Sequence, residues 1–489
     1  MIPVLFILVP LLSGLVGFFI KNGNAAKKWS LFVSVVTLVI SLYSLTLGKN
    51  APALNYSASW LPSLGSKFSV ELDGLSVILT LLTAVSFPAI FIATYNKEYK
   101  NQGNFYALML LSQAGLMGVF VATDALLFYF FWELALIPVY FLCSIWGGDR
   151  RIQAAFKFFI YTFVGSLLML IGIIYLYLHT TDHSFSLQSF YKLKSYIPAA
   201  DQTWLFWLFF VAFGIKMPIF PFHTWQPDTY EQSPTAVTMV LSGVMVKMGL
   251  FGLIRWLAPV LAGGTWLWGD TASALCIIGM IYASLIAIQQ DDLKRLVAYS
   301  SIAHIGLMCL AVFATTQTGL QGVMIQMFNH GINIIALWIV VELIERQLGT
   351  RKISELGGLA QKAPVLSILL VVVALANVAL PLTNAFVGEF LMFSGIYTST
   401  ATTYNVVFTV TAGISIILSA VYMLNMIQKV FFGNTNSLTE NVRDIQWNEK
   451  LILVALVLLI VLIGIYPQPA LELTKTTVDT IITKMNAKF

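Results

Sequence analysis

Charge is scarce in this chain: Asp, Glu, Lys and Arg make up 10% of its 489 residues, where a soluble domain carries about 25%. Cysteine is scarcer still. Cys143, Cys276 and Cys309 all lie within apolar runs, with no CxxC spacing and no clustered histidines, which excludes a cysteine-built metal site or iron–sulfur cluster. No GxGxxG stretch precedes a helix pattern, so a dinucleotide fold has no foothold. The opening MIPVLFILVPLLSGLVGFFI lacks a basic start and reads as a first membrane span rather than a removed signal peptide. What is abundant is apolar surface, 58% of the residues. So few charges could not cover it in water, which rules out a soluble enzyme, a nucleic-acid binder and a disordered chain. The bilayer is the solvent, and about fourteen spans of roughly 20 residues would fill most of the chain.

Apolar segments recur at Ile2–Ile20, Trp29–Leu47, Leu72–Tyr95, Phe105–Ala122, Ala125–Trp146, Ile152–Leu178 and Trp204–Phe222. They continue at Pro234–Leu257, Ala272–Gln289, Leu296–Ala314, Leu320–Ile344, Val365–Tyr397, Tyr404–Phe432 and Leu451–Tyr466. The expectation is an all-α polytopic membrane protein of a single domain. Most of the 27 Lys and Arg fall in loops that follow odd-numbered spans. Lys49, Lys67, Lys192, Lys194, Lys475, Lys484 and Lys488 fall on the other side. By the positive-inside rule the odd loops are cytoplasmic and both termini lie on the opposite side.

A charge at the bilayer centre costs about 2.5–3.5 kcal/mol on insertion scales, so Glu133, Lys216, Lys247 and Glu389 together would cost about 10–14 kcal/mol. They must be paired or hydrated, and must face the protein interior. Inert pairs fixing helix register are one explanation, though buried pairs stabilise poorly. An ion pathway is the other, and the neighbouring prolines favour it. Glu133 sits in FWELALIPVY, where Pro138 cannot donate to the Leu134 carbonyl. Lys216 sits in FGIKMPIFPFHTW, where Pro218 and Pro221 deprive the Gly214 and Met217 carbonyls of their usual donors. Glu389 follows a break at Pro381 and Thr383-Asn384. Broken helices beside ionisable groups are how transporters build their sites.

His304 and His330 also lie in spans. Each reads equally as a hydrogen-bonded core residue or as a proton relay. Lys157, one turn inside the sixth span, either snorkels or modulates Glu133 as a further relay. Trp225–Thr235, with Asp228 and Glu231, is a structural connection or a proton inlet. His179, His183 and His223 look like loop or interface residues. The Pro-broken spans carrying Lys216 and Glu389 are five apart, which suggests two inverted five-helix repeats containing broken helices, about 104–258 and 272–432. Residues 1–103 would precede them, and a last helix and tail, about 448–489, would follow.

Several stretches then carry a resemblance: DALLFYFFWELALIPVYFL, GGDRRIQAAFKFFIYT, FGIKMPIFPFHTWQPDTYEQSPT, VMVKMGLFGLIRW, DDLKRLVAYSSIAHIG, TRKISELGGLAQKAP and FVGEF. Over about residues 72–433 the chain resembles the antiporter-like membrane subunits of respiratory complex I, the M branch in particular. Glu389 discriminates, because paralogous subunits and multisubunit cation/proton antiporters usually carry Lys there. The length agrees, since the paralogue with a long lateral helix is longer. Three places depart from the family: Thr229-Tyr230 after Asp228, where Ala-His is common; Leu382 after Pro381, where Gly is usual; and the stretch after His330.

The resemblance implies a proton-translocating subunit of an NADH:quinone oxidoreductase. No redox centre would sit in this chain, and FMN, iron–sulfur clusters and quinone would be held by other subunits. The expected partners are neighbouring antiporter-like subunits and lipid, with no nucleic acid. Glu133 and Lys216 would form a switchable ion pair. On opening, Lys216 would pass its proton to Lys247, His304 and His330 would relay it, and Glu389 would release it. A sodium/proton antiporter subunit, a hydrogenase-linked pump and a plain membrane scaffold are the competing readings.

Overall fold

The structure, a computed structural model, describes residues 1–48, 51–193 and 196–486. Lys49, Lys194 and Lys488, counted above in the charge asymmetry, lie outside the described residues. The chain forms α1 (Ile2–Gly17), α2 (Gly23–Leu45), a hairpin of β1 (Asn55–Leu61) and β2 (Ser66–Glu71), then α3 (Gly74–Ala93), α4 (Gln102–Val121), α5 (Ala125–Trp146) and α6 (Arg151–His179). There follow α7 (Leu187–Lys192), α8 (Ala199–Lys216), α9 (Trp225–Gln232), α10 (Thr235–Val240), α11 (Lys247–Gly252), α12 (Ala262–Ile288), α13 (Leu293–Phe313) and α14 (Gln317–Leu348). The last are α15 (Leu359–Lys362), α16 (Pro364–Asn377), α17 (Asn384–Tyr397), α18 (Asn405–Val430), α19 (Trp447–Ile465) and α20 (Gln468–Asn486).

Each of the fourteen expected spans has its helix. Among the described residues, eleven stretches are long and apolar enough to cross a membrane uninterrupted. The exceptions are α1, with 16 residues; α8, which stops at Lys216; and the twelfth span, split into α16 and α17. The eighth span runs Thr235–Leu257 as one rod, but π turns at Leu241–Met245 and Leu253–Leu257 flank α11. Such bulges shift the register of the side chains that follow and often mark functional positions.

Lateral position follows composition. The eighth span and the central turns of α14 are wholly buried, and those of α13 nearly so, whereas α2, α18 and α19 leave most of their surface facing outward. Lipid solvates apolar rims, so a helix wrapped by others can carry polar side chains. α14 carries Gln326, Asn329, His330 and Asn333 in two turns, all buried. Spans begin at side-chain caps: Asp73 accepts from the Ser76 amide, Asp124 from Leu126 and Leu127, and Asp292 from Arg295, meeting the orphan donors of a first turn.

The two faces are finished differently. On the face after even-numbered spans, the antiparallel hairpin docks through Ser66 and Lys67 on Asp124. The segment after the last span, read from sequence as a tail, is the helix α20. Thr474, Val478, Ile481 and Met485 form its buried side, at the spacing of one helix face, and it packs against α3 and α14. On the opposite face, Trp225–Gln232 is helical (α9) rather than a plain connection. Pro227 falls in its first turn, where proline is tolerated, and Pro234 ends it.

Candidate functional site

The line begins at α5. Glu133 is half-buried beside Ser166 and Lys216, and its Oε1 has no hydrogen-bond partner in the protein. Lys216 closes α8 and is 1% exposed. Among the described residues no ion pair joins it to Glu133, and its ammonium has no hydrogen-bond partner there either. It rests instead 5.5 Å above the Trp132 ring and 5.7 Å from Phe158. The break after Lys216 is partly repaired. The Gly214 carbonyl, expected to lose its donor, accepts from Ile219 at 2.8 Å, and the Trp225 indole donates to the Ile215 carbonyl at 2.9 Å.

Lys247 stands between the two π turns and is fully buried. Its Nζ donates to the Ser242 carbonyl at 2.8 Å and lies 2.8 Å from His330 Nδ1. The His330 and His304 rings are 5.7 Å apart, and His304 Nδ1 lies 3.3 Å from Glu389 Oε1. Lys247, His330, His304 and Glu389 thus form one ladder across four spans. Asn329 Nδ2 donates to the Asn384 carbonyl at 2.7 Å, tying α14 to the start of α17. Sequence reasoning placed Asn384 at the break but did not name Asn329. Buried polar atoms without protein partners accompany the ladder: Gln326 Oε1, Asn329 Oδ1, Asn333 Oδ1, His330 Nε2, His304 Nε2 and Ser301 Oγ. Polar atoms in a low-dielectric interior are satisfied by water where protein does not reach.

The break before Glu389 is strained. Ala379 has φ 56° and Leu382 has φ 72°, the left-handed region that glycine adopts freely and other L-residues at a cost. The resemblance noted a usual glycine at the position of Leu382, and the backbone gives the reason.

Lys157 is held elsewhere than expected. Its ammonium binds Asp228 at 2.8 Å and the Thr224 carbonyl at 2.9 Å, both at α9 and not at Glu133. It belongs to an ion network on the odd-loop face. There Glu231 meets Arg150 and Arg295 at 2.9 Å and Arg351 at 3.4 Å, while Arg351 also binds Asp292 and Glu345. Burial pulls the Glu231 carboxyl upward, but hydrogen bonds and charge from Arg295 and Arg150 outweigh it and hold the group below the usual carboxylate range. Asp228 is held down in the same way by Lys157 and Arg295.

Two further pairs escaped sequence reading. Arg255, near the even-loop end of the eighth span, binds Asp73 at 2.6 Å, and the buried Glu342 of α14 binds Lys97 at 2.7 Å. Both charges sit at span ends, where snorkelling is the ordinary expectation. His223 lies in the loop between α8 and α9, buried against Phe220 and Tyr282. Among the described residues no group of three or more His, Cys, Asp or Glu is disposed to hold a metal ion.

Fold and site define a class: a polytopic membrane protein with ionisable side chains strung across its buried centre. Residues 122–415 match the model of the NADH:quinone oxidoreductase/Mrp antiporter transmembrane family, and the chain belongs to that family. It is 35% identical to NADH-quinone oxidoreductase subunit M of Rickettsia typhi, over 98% of each chain. It is also 35% identical to F(420)H(2) dehydrogenase subunit M of Methanosarcina mazei, over 99% of this chain and 98% of that one. A chain of respiratory complex I from Thermus thermophilus superposes with a TM-score of 0.89 at 28% identity, covering 98% of this chain and 100% of that one. An archaeal membrane-bound sulfane sulfur reductase shares the fold, with a TM-score of 0.86 at 23% identity over 95% of this chain and 76% of that one.

Proposed function

We propose that this chain is a proton-translocating membrane subunit of an NADH:quinone oxidoreductase, seated beside other antiporter-like subunits of the complex. The observation that carries the reading is the ladder from Lys247 through His330 and His304 to Glu389, with Lys216 and Glu133 at its head. Electron transfer happens elsewhere. FMN, iron–sulfur clusters and quinone belong to other subunits, and this chain supplies proton positions.

The conformation described here is the open state of the Glu133–Lys216 switch. A lysine ammonium only donates hydrogen bonds, and Lys216, in no direct ion pair with Glu133 and lying over two rings, is poised to give its proton up. Lys247 receives it through water. A protonated Lys247 makes His330 an acceptor at Nδ1 and leaves that ring's own proton on Nε2. His304 then delivers to Glu389, which releases toward the even-loop face. A charge moved nearby in a neighbouring subunit triggers the opening.

The division into repeats, about 104–258 and 272–432, assigns Lys216 and Glu389 to corresponding broken spans. The excess of Lys and Arg on the odd loops supports a bacterial inner membrane with both termini periplasmic.

The test uses sealed inverted membrane vesicles. With Glu133→Gln, NADH-driven proton uptake falls together with coupled NADH oxidation. If both are unchanged while sodium-driven proton exchange is lost, the chain serves an antiporter instead.

A further inference from the structure

A cavity of about 380 Å³ opens on the odd-loop face, between the end of α12, the start of α13 and the last turns of α18. Nothing in the ladder described above uses it. Gln290, Asp291, Ser354, Asn425 and Lys429 are among its lining residues, and Tyr422 lies at its inner end. Its roof is pinned, because Ser354 donates to the Asp291 carboxylate from its backbone amide at 2.8 Å and from its hydroxyl at 2.7 Å.

Beneath the cavity the polar contacts continue inward. The Tyr422 hydroxyl, on a side chain 1% exposed, donates to Ser300 Oγ at 2.9 Å. Asn377, the last residue of α16 before the break, donates to the same oxygen at 3.2 Å. Ser300 is one helical turn from His304 on α13, and the unpartnered hydroxyl of Ser301 lies beside it in sequence. His304 contacts Glu389, and Glu389 is itself within electrostatic reach of Tyr422. A tyrosine and a serine hydroxyl each donate and accept, so together they can hand a proton on by reorienting.

We propose that this cavity is a second proton inlet, which loads Glu389 and His304 directly from the odd-loop face by way of Tyr422 and Ser300. The proposal rests on the reading of Glu389 as a proton carrier. It makes the second half of the chain able to fill from its own side rather than only through Lys216 and Lys247. The step is simple proton relay. A hydrated proton at the cavity floor goes to the Tyr422 oxygen as that hydroxyl gives its own proton to Ser300. Ser300 in turn passes one toward His304 and Glu389, and no bond other than O–H and N–H is made or broken.

The test uses the intact complex in sealed inverted vesicles. Asn425→Cys is labelled with a bulky, membrane-impermeant maleimide; Cys143, Cys276 and Cys309 are buried. The label is expected to react from the odd-loop face and to lower protons taken up per NADH oxidised several-fold. It should cause no further loss when Glu389→Gln is also present. Tyr422→Phe, which keeps the ring and its packing, should lower the same ratio without lowering uncoupled NADH oxidation. Failure to label a chain that labels after unfolding overturns the inlet, because the cavity is then shut. Full labelling with unchanged proton uptake overturns it as well, as does normal uptake in Tyr422→Phe. If Glu389→Gln alone blocks pumping in those cases, the carrier reading survives the loss of the inlet. Normal pumping by Glu389→Gln removes both.

Discussion

Lys247 and His330, 83 residues apart in the chain, meet at 2.8 Å inside the bundle. Lys247 reaches that position because its helix is interrupted on both sides by π turns. The contact joins the two halves of the chain and gives a lysine with no carboxylate partner a neighbour that can accept its proton.

Replacing His330 by glutamine keeps an acceptor near Lys247 but removes the exchangeable ring. His330→Gln should lower proton uptake per NADH, by less than the roughly hundredfold at the low end of what a positioned acid–base group contributes, because the inlet at Tyr422 bypasses it. Lys247→Met should lower it at least as far, leaving only what enters past Tyr422. Initial rates of proton uptake in inverted vesicles, normalised to complex content, measure both.

Lys216 offers a way to separate stability from function. It is buried, hydrogen-bonded to nothing in the protein, and surrounded by Trp132 and Phe158. A buried charge with no hydrogen bond or ion pair carries an uncompensated desolvation cost, which an apolar side chain of similar size removes. Lys216→Met should therefore leave the melting temperature of the purified complex unchanged or raise it, while proton uptake per NADH falls. A lower melting temperature would show that Lys216 is structural.

Leu382 holds a left-handed backbone, φ 72°, and its side chain is 68% exposed. Leu382→Gly should relieve about 1 kcal/mol of strain with little packing lost. The expected result is a small rise in thermal stability at unchanged pumping. A fall in either would mean that the leucine itself anchors the break.

Glu231 is the hub of three arginines on the odd-loop face. Glu231→Gln leaves those guanidiniums facing one another and should destabilise the chain by about 3 kcal/mol, as removal of one partner from a buried pair does. The pH dependence has a definite sign. Glu231 and Asp228 are held below their ordinary values in the folded chain, so their contribution is fully present above the unfolded carboxylate range. It is lost as pH falls below about 4 through the lower folded values. Melting temperature against pH should thus be flat near neutrality and drop in acid, with a shallower drop in Glu231→Gln.

The membrane spans and the misplaced charges were legible in the linear chain because each is a local fact. An apolar run declares its solvent, and an ionised side chain within it declares a cost that something must offset. Prolines beside Lys216 and Glu389 marked the interrupted helices for the same reason, whereas α5 runs unbroken through Pro138. Which groups meet was not legible. Lys157 turned to Asp228, Glu342 found Lys97, Tyr422 found Ser300, and Lys216 stood off Glu133, because each outcome depends on helices brought together from distant segments. The helical state of α9 and the docking of α20 were likewise decided by the faces available to receive them. Amphipathic spacing can show that a segment has an apolar side, but only the assembled bundle provides the surface that buries it.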